Sequence, residues 1–134
     1  MPQDDLASLE NAVLQQGPRG AVLIGASVSP DKRYGATLTF LQSANYLMDD
    51  VFERGEHGWE QFTGGSGGGI SWSLIDEDSE RGVLRYGDEA PSDASVAIVS
   101  YQGQESRVPV RHGHFLFVAW QTSDDETPML VGFE

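Results

Sequence analysis

The stretch SVAIVSYQGQESRVPVRHGHFLFVAW, residues 95–120, decides the fold class of this chain. Its apolar and β-branched runs are interrupted by two dipeptides, Gln102-Gly103 and His112-Gly113, which begin ten residues apart. A polar residue followed by glycine is typical of a tight turn between antiparallel strands. The stretch therefore predicts a three-stranded antiparallel meander.

The last strand of this predicted meander, His114 to Trp120, is apolar on both faces. Such a strand is expected at the centre of a sheet, covered on two sides. The strand before it contains Pro109, which has no N–H to donate and is therefore expected at a sheet edge or a bulge.

Residues upstream of this stretch continue the β pattern. The segments from Ala21 to Val28 and from Tyr34 to Leu41 flank a Ser-Pro-Asp turn, which predicts a hairpin. Ile70 to Ile75 alternates apolar residues with serine, as a half-buried strand does. Turns that recur roughly every 8–12 residues indicate antiparallel sheets in a sandwich or a barrel.

Residues 4–16 carry the one clear helical pattern, with Leu6, Leu9 and Val13 spaced by three and four. A Gly-Pro pair then ends the helix. We expect a mainly β fold, an antiparallel two-sheet sandwich or partly open barrel, with this helix covering an edge or a face. The expected organisation is a helix and linker over residues 1–19 and one β domain over residues 20–134, with a glycine-rich segment at 64–69 inside it.

Charge limits the partners that this chain can have. It has 134 residues, 21 acidic and 8 basic, which gives a formal charge of −13, and Lys32 is its single lysine. Nucleic acids and anionic membranes need clustered basic residues, so we expect neither nucleic-acid binding nor membrane insertion. The acidity serves solubility, or it forms a face that meets a basic partner.

Cysteine is absent, which removes disulfides and thiolate chemistry. The first sixteen residues lack a basic region followed by an apolar run. We therefore expect a cytoplasmic protein if Met1 is the native start, and an extracytoplasmic one if a signal segment was trimmed.

The three histidines and one acidic turn are the candidate metal ligands. His112 and His114 share a strand face, and His57 would complete a set of three if the fold brought the loops together. The alternative is that His112-Gly113 and His57-Gly58 are turn residues. Asp76, Asp78 and Glu80 alternate as in a calcium loop, but the glycine and distal glutamate of such loops are out of register, so a solvated turn is the alternative.

Aromatic and basic residues of the predicted strands are the candidate contacts for a partner. Core packing between two sheets is the alternative for the aromatic ones. The candidate ligand or partner surface consists of Trp59, Tyr86, Tyr101, Arg107 and Arg111.

The order of several segments resembles a group of uncharacterised bacterial β-rich domains, often secreted or lipoprotein-borne in Gram-positive bacteria. The segments that carry the resemblance are structural: GAVLI at 20–24, GWEQF at 58–62, GHFL at 113–116 and LVGF at 130–133. The resemblance implies a β domain whose last third is like half of an immunoglobulin-like sandwich. It also favours a strand over residues 46–54, where periodicity alone permits a helix.

No catalytic set emerges from these residues, and no cofactor is expected. The leading hypothesis is a non-enzymatic binding or protein-interaction module, whose acidic surface pairs with a basic protein. A carbohydrate- or calcium-binding accessory domain is the alternative, and a metal-dependent enzyme using His57, His112 and His114 is the third hypothesis. The identity of the partner and the oligomeric state remain open.

Overall fold

The computed structural model describes residues 5–134. It is mainly β, with one α-helix and three antiparallel sheets. The helix and strands, with one short 3-10 turn at Gln42–Ala44, are α1 (Asp5–Gln16), β1 (Ala21–Val28), β2 (Tyr34–Leu41), β3 (Tyr46–Gly55), β4 (Gly58–Ser66), β5 (Gly69–Asp76), β6 (Arg81–Glu89), β7 (Val96–Tyr101), β8 (Gln104–Pro109), β9 (His114–Thr122) and β10 (Met129–Phe133).

Contacts divide the chain into two compact units, one ending at Gly67 and the other spanning Gly68–Glu134. The boundary falls inside the glycine-rich segment that the sequence analysis placed within one β domain over residues 20–134. Every strand pairs with strands of its own unit. The two units are therefore described separately.

The first unit is a four-stranded sheet in the order β1-β2-β3-β4, with α1 packed on one face. Leu9 and Val13 of the helix are buried with Phe52 and Trp59 of the sheet. The predicted helix is confirmed from residue 5 onward, whereas residue 4 lies outside the described residues. The predicted hairpin of β1 and β2 is confirmed, and so is the strand over residues 46–54.

The second unit is a sandwich of two three-stranded sheets, in the orders β10-β7-β8 and β5-β6-β9. Side chains of both sheets form one core, which contains Leu84 and Phe115 from one sheet and Val99 and Tyr101 from the other. The predicted antiparallel sandwich with an N-terminal helix is confirmed. Each sheet is open and ends in two edge strands.

The predicted meander is wrong in its third strand. β9 pairs with β6 in the opposite sheet, and only an isolated bridge from Arg111 to His114 joins it to the segment after β8. Pro109 ends β8, as expected for a residue with no N–H, and the chain then crosses between the sheets. β9 is consequently an edge strand, although residues 114–117 at its start are buried.

Candidate functional site

The predicted turn at His112-Gly113 is confirmed. Both residues have positive φ, 52° and 76°, as the central residues of a type I′ turn do. Arg111 and His114 on either side exchange two backbone hydrogen bonds, of 2.8 and 3.1 Å. The Nδ1 atom of His114, a buried residue, lies 2.8 Å from the carbonyl oxygen of His112. These contacts account for both histidines as parts of a hairpin.

His57 lies in the turn between β3 and β4 of the first unit, whereas His112 and His114 belong to the second unit. Within residues 5–134, no group of three or more histidine, aspartate or glutamate side chains is arranged to hold a metal ion. Among the described residues, no helix has the length and apolar character needed to cross a membrane.

The acidic turn after β5 is organised by its own side chains. Asp76 accepts hydrogen bonds from the backbone N–H of Asp78, at 3.1 Å, and from the Ser79 hydroxyl, at 2.8 Å. The Ser79 hydrogen bond is the main cause that lowers the pKa of Asp76 below its ordinary value. One carboxylate of the predicted calcium set, which also includes Glu80, therefore stabilises the turn itself.

Two of the five residues of the predicted partner surface are not exposed on the unit to which they belong. Trp59 lies in the first unit and the others in the second. Trp59 and Tyr101 are buried, at 5% and 9% exposure, because their strands turn them towards the cores. Tyr86 packs edge-to-face on Phe115.

The two arginines of that predicted set lie on the exposed side of the second unit. Arg107 donates a hydrogen bond of 2.6 Å to Glu134, and Arg111 belongs to the His112-Gly113 hairpin. Arg107 is thus paired with a carboxylate of its own chain, while its side chain stays largely exposed.

Trp59 instead fastens the helix to the sheet. Its indole Nε1 donates to the Ser8 hydroxyl at 2.9 Å, and the Arg54 guanidinium lies 4.4 Å from the ring centroid. Arg54 also pairs with Asp5, at 2.6 Å, at the start of α1. This group joins residues of the helix and of two strands, which is a structural role.

The pairing of β6 with β9 produces a feature that sequence reasoning missed. Gly82 lies opposite Thr122, so the turn before β6 and the loop after β9 emerge at the same end of one sheet. We call the seven exposed carboxylate residues there the acidic end: Asp76, Glu77, Asp78, Glu80, Asp124, Asp125 and Glu126. No local signal could reveal it, because it depends on which strand pairs with β9.

The acidic end is weakly compensated by basic residues. Arg81 is the one basic residue of the two loops. The ion pairs of Lys32, Arg33, Arg54 and Arg107 use Asp5, Glu53 and Glu134, which lie outside the acidic end. Much of the formal charge of −13 is therefore concentrated at one end of the second unit.

A hollow of about 340 Å³ lies beside the acidic end, between the edge strands β8 and β9. It is lined by uncharged residues: Tyr101, Gln102, Gln104, Ser106, Phe117, Val118, Ala119, Trp120 and Thr122. We call it the β8–β9 hollow.

The Tyr101 hydroxyl is buried within the second unit and makes no hydrogen bond. Burial is the main cause that raises the pKa of Tyr101, and the negative charge of Glu126 raises it further. Thr122 is near enough to lower the Tyr101 pKa in part, but the two hydroxyls do not meet in hydrogen-bond geometry. The phenol therefore keeps its proton and has an unused donor and acceptor.

The first unit has an open groove of about 420 Å³ where α1 ends, lined by Gln16, Met48, Asp50 and Gln61 among others. Gln61 donates a hydrogen bond of 2.9 Å to Asp50, so the carboxylate that faces this groove is already engaged. The groove offers less to a ligand than the β8–β9 hollow does.

Comparison of the chain with protein-family models, with curated proteins and with solved structures finds no match. The resemblance to bacterial β-rich domains consequently stays a prediction.

Proposed function

We propose that this protein is a non-enzymatic binding module that takes a basic segment of another protein at its acidic end. The observation that supports the proposal is the Gly82–Thr122 register, which brings two acidic loops to the same end of a sheet. Neither loop alone would form such a patch.

Geometry makes these charges act together. Adjacent strands of a sheet lie about 4.8 Å apart, which is shorter than the Debye length of about 8 Å at physiological salt. The potentials of the two loops therefore add instead of being screened from one another. A patch of one sign raises the association rate of an oppositely charged partner and selects against acidic ones.

The carbohydrate- or calcium-binding alternative has less support. Tyr101 and Phe117 line the β8–β9 hollow but are more than nine-tenths buried, so of its three aromatic residues Trp120 alone is partly exposed to a sugar. Asp76, the first residue of the predicted calcium set, already accepts two hydrogen bonds within its turn.

The proposal is tested with a fluorescent peptide of alternating lysine and glycine. In one variant, Asp124→Asn, Asp125→Asn and Glu126→Gln remove three charges from the acidic end. In the matched control, Asp88→Asn, Glu89→Gln and Asp93→Asn remove three exposed charges, of which 88 and 89 lie at the opposite end of β6.

We expect the acidic-end variant to bind the peptide about tenfold more weakly than the control variant at low salt, with a smaller salt dependence. Equal weakening in both variants would show attraction to net charge alone and would contradict the proposal. Affinity that does not change with salt would contradict it as well.

A further inference from the structure

We infer that the β8–β9 hollow receives one lysine or arginine side chain of the basic partner, an inference that rests on the proposed function. Five features of the hollow support the inference: its place, its size, its polar lining, the unpartnered Tyr101 hydroxyl and its surroundings.

The hollow lies next to the acidic end in the same unit. Thr122, the last residue of β9, lines the hollow, and the acidic loop 123–126 follows it directly. A volume of about 340 Å³ is within the range of roughly 300–1,000 Å³ for ligand pockets. A chain bound across the acidic loops could therefore place a side chain in the hollow without leaving the patch.

The lining is rich in oxygen acceptors and has no charge of its own. Hydroxyls come from Tyr101, Ser106 and Thr122, and side-chain amides come from Gln102 and Gln104. β8 and β9 are both edge strands, and an edge strand turns some of its carbonyl oxygens away from its sheet. Ammonium and guanidinium groups carry only donors, so they match a lining of acceptors.

The Tyr101 hydroxyl is the observation that points to a ligand. It belongs to a side chain that is 9% exposed and makes no hydrogen bond, and buried polar groups without partners are rare in proteins. A donor from the partner would satisfy its oxygen. The oxygen has almost no accessible surface in the free protein, so the side chains around it would have to shift slightly for this bond to form.

The surroundings select the sign of the ligand. The charge of Arg81 lowers the pKa of Tyr101, whereas the charges of Glu126 and Asp125 raise it. Their negative potential repels an anion and attracts a cation into the hollow. A neutral polyhydroxyl ligand would gain nothing from this potential.

Two variants test the inference with the same lysine–glycine peptide. Tyr101→Phe removes only the unpartnered hydroxyl, and Ser106→Leu fills the hollow from β8. Tyr86→Phe is the matched control, because it removes a phenol hydroxyl of the same unit outside the lining of the hollow. Thermal unfolding establishes that each variant is folded.

We expect Tyr101→Phe and Ser106→Leu each to weaken peptide binding about tenfold with an unchanged salt slope, and Tyr86→Phe to leave the affinity unchanged. The side-chain amide signals of Gln102 and Gln104 should shift in NMR spectra on addition of the peptide. Affinities like that of the unmodified chain in both hollow variants would overturn the inference.

The two proposals fail in different ways. If the acidic-end variant binds the peptide more weakly and the hollow variants bind it normally, the proposed function stands and the inference about the hollow is wrong. If the acidic-end variant binds like its own control, the proposed function fails first. Butylammonium that binds in the hollow without competing with the peptide would indicate a site for free amines and would also overturn the inference.

Discussion

Leu9 of the helix occupies the space that a side chain at residue 35 would fill. A Cβ atom built on Gly35 would lie 2.5 Å from Cδ2 and 2.8 Å from Cδ1 of Leu9, which is fully buried. The helix can approach β2 this closely only because glycine stands at that position. The contact determines how α1 sits on the sheet of the first unit.

Gly35→Ala should therefore destabilise the protein by about 1–3 kcal/mol, the usual cost of overpacking a closed core. Gly65→Ala in the same unit is the control, because its Cβ would meet nothing nearer than an Asp49 carboxylate oxygen at 3.7 Å. Urea unfolding measures both. Similar free energies of unfolding for the two variants would disprove the role given to Leu9.

The hydrogen bond from Trp59 Nε1 to Ser8 Oγ should contribute measurably to the attachment of the helix. Trp59→Phe and Ser8→Ala each remove the bond, and each should cost about 1 kcal/mol beyond any change in packing. A double-mutant cycle isolates the shared part. A coupling free energy of zero would mean that the bond adds no stability.

Asp5 should make the attachment of the helix sensitive to acid. The hydrogen bond from Arg54 holds the pKa of Asp5 below its ordinary value of 3.8, and the charges of Arg54 and Lys32 act in the same direction. A carboxyl with a lowered pKa in the folded state stabilises the fold fully above the ordinary value. That contribution is lost as the pH falls through the lowered pKa.

The unmodified chain should therefore have a higher melting temperature than Asp5→Asn at pH 6, and the difference should shrink as the pH falls below about 4. Thermal unfolding over a series of pH values measures this difference. Asn11→Gln on the same helix is the control, because neither of its side chains titrates. A constant difference between the chain and Asp5→Asn from pH 6 to pH 2 would contradict the expectation.

His112 should be replaceable by asparagine but not by valine. Its φ of 52° lies in the left-handed region, which asparagine tolerates and a β-branched residue resists. His112→Val should cost about 1–2 kcal/mol in urea unfolding, and His112→Asn should be close to neutral. His57→Val is the control, because His57 also precedes a glycine in a turn yet lies outside the left-handed region.

Local chemistry explains which parts of the fold could be predicted. The spacing of Leu9 and Val13 and the His112-Gly113 turn are set by neighbours in sequence. The alternation in Ile70 to Ile75 predicted the strand but not its buried face, because Ile70 and Leu74 are 46% and 40% exposed. The pairing partner of β9 is not set by its neighbours in sequence, because an apolar strand after a tight turn can pair with β8 or cross to the other sheet. In the structure, β9 crosses to the other sheet and pairs with β6.

The pairing of β9 with β6 also explains why the sequence did not reveal the acidic end. The acidic end exists because β9 pairs with β6, so a pairing with β8 could not have revealed it. Alternation shows which residues of a strand share a face but not which face is covered, so it cannot show that Tyr101 is buried. The burial of Tyr101 and its unpartnered hydroxyl become visible only once the two sheets are packed together.

Gly67, Gly68 and Gly69 follow one another with positive φ, and the division between the two units falls after the first of them. The strand ladders of the chain are complete on either side of this point. A few extra glycine and serine residues introduced there would lengthen the backbone without removing a rung from any sheet. This position is thus the natural place to splice a reporter or an affinity handle into the chain while both termini stay untouched.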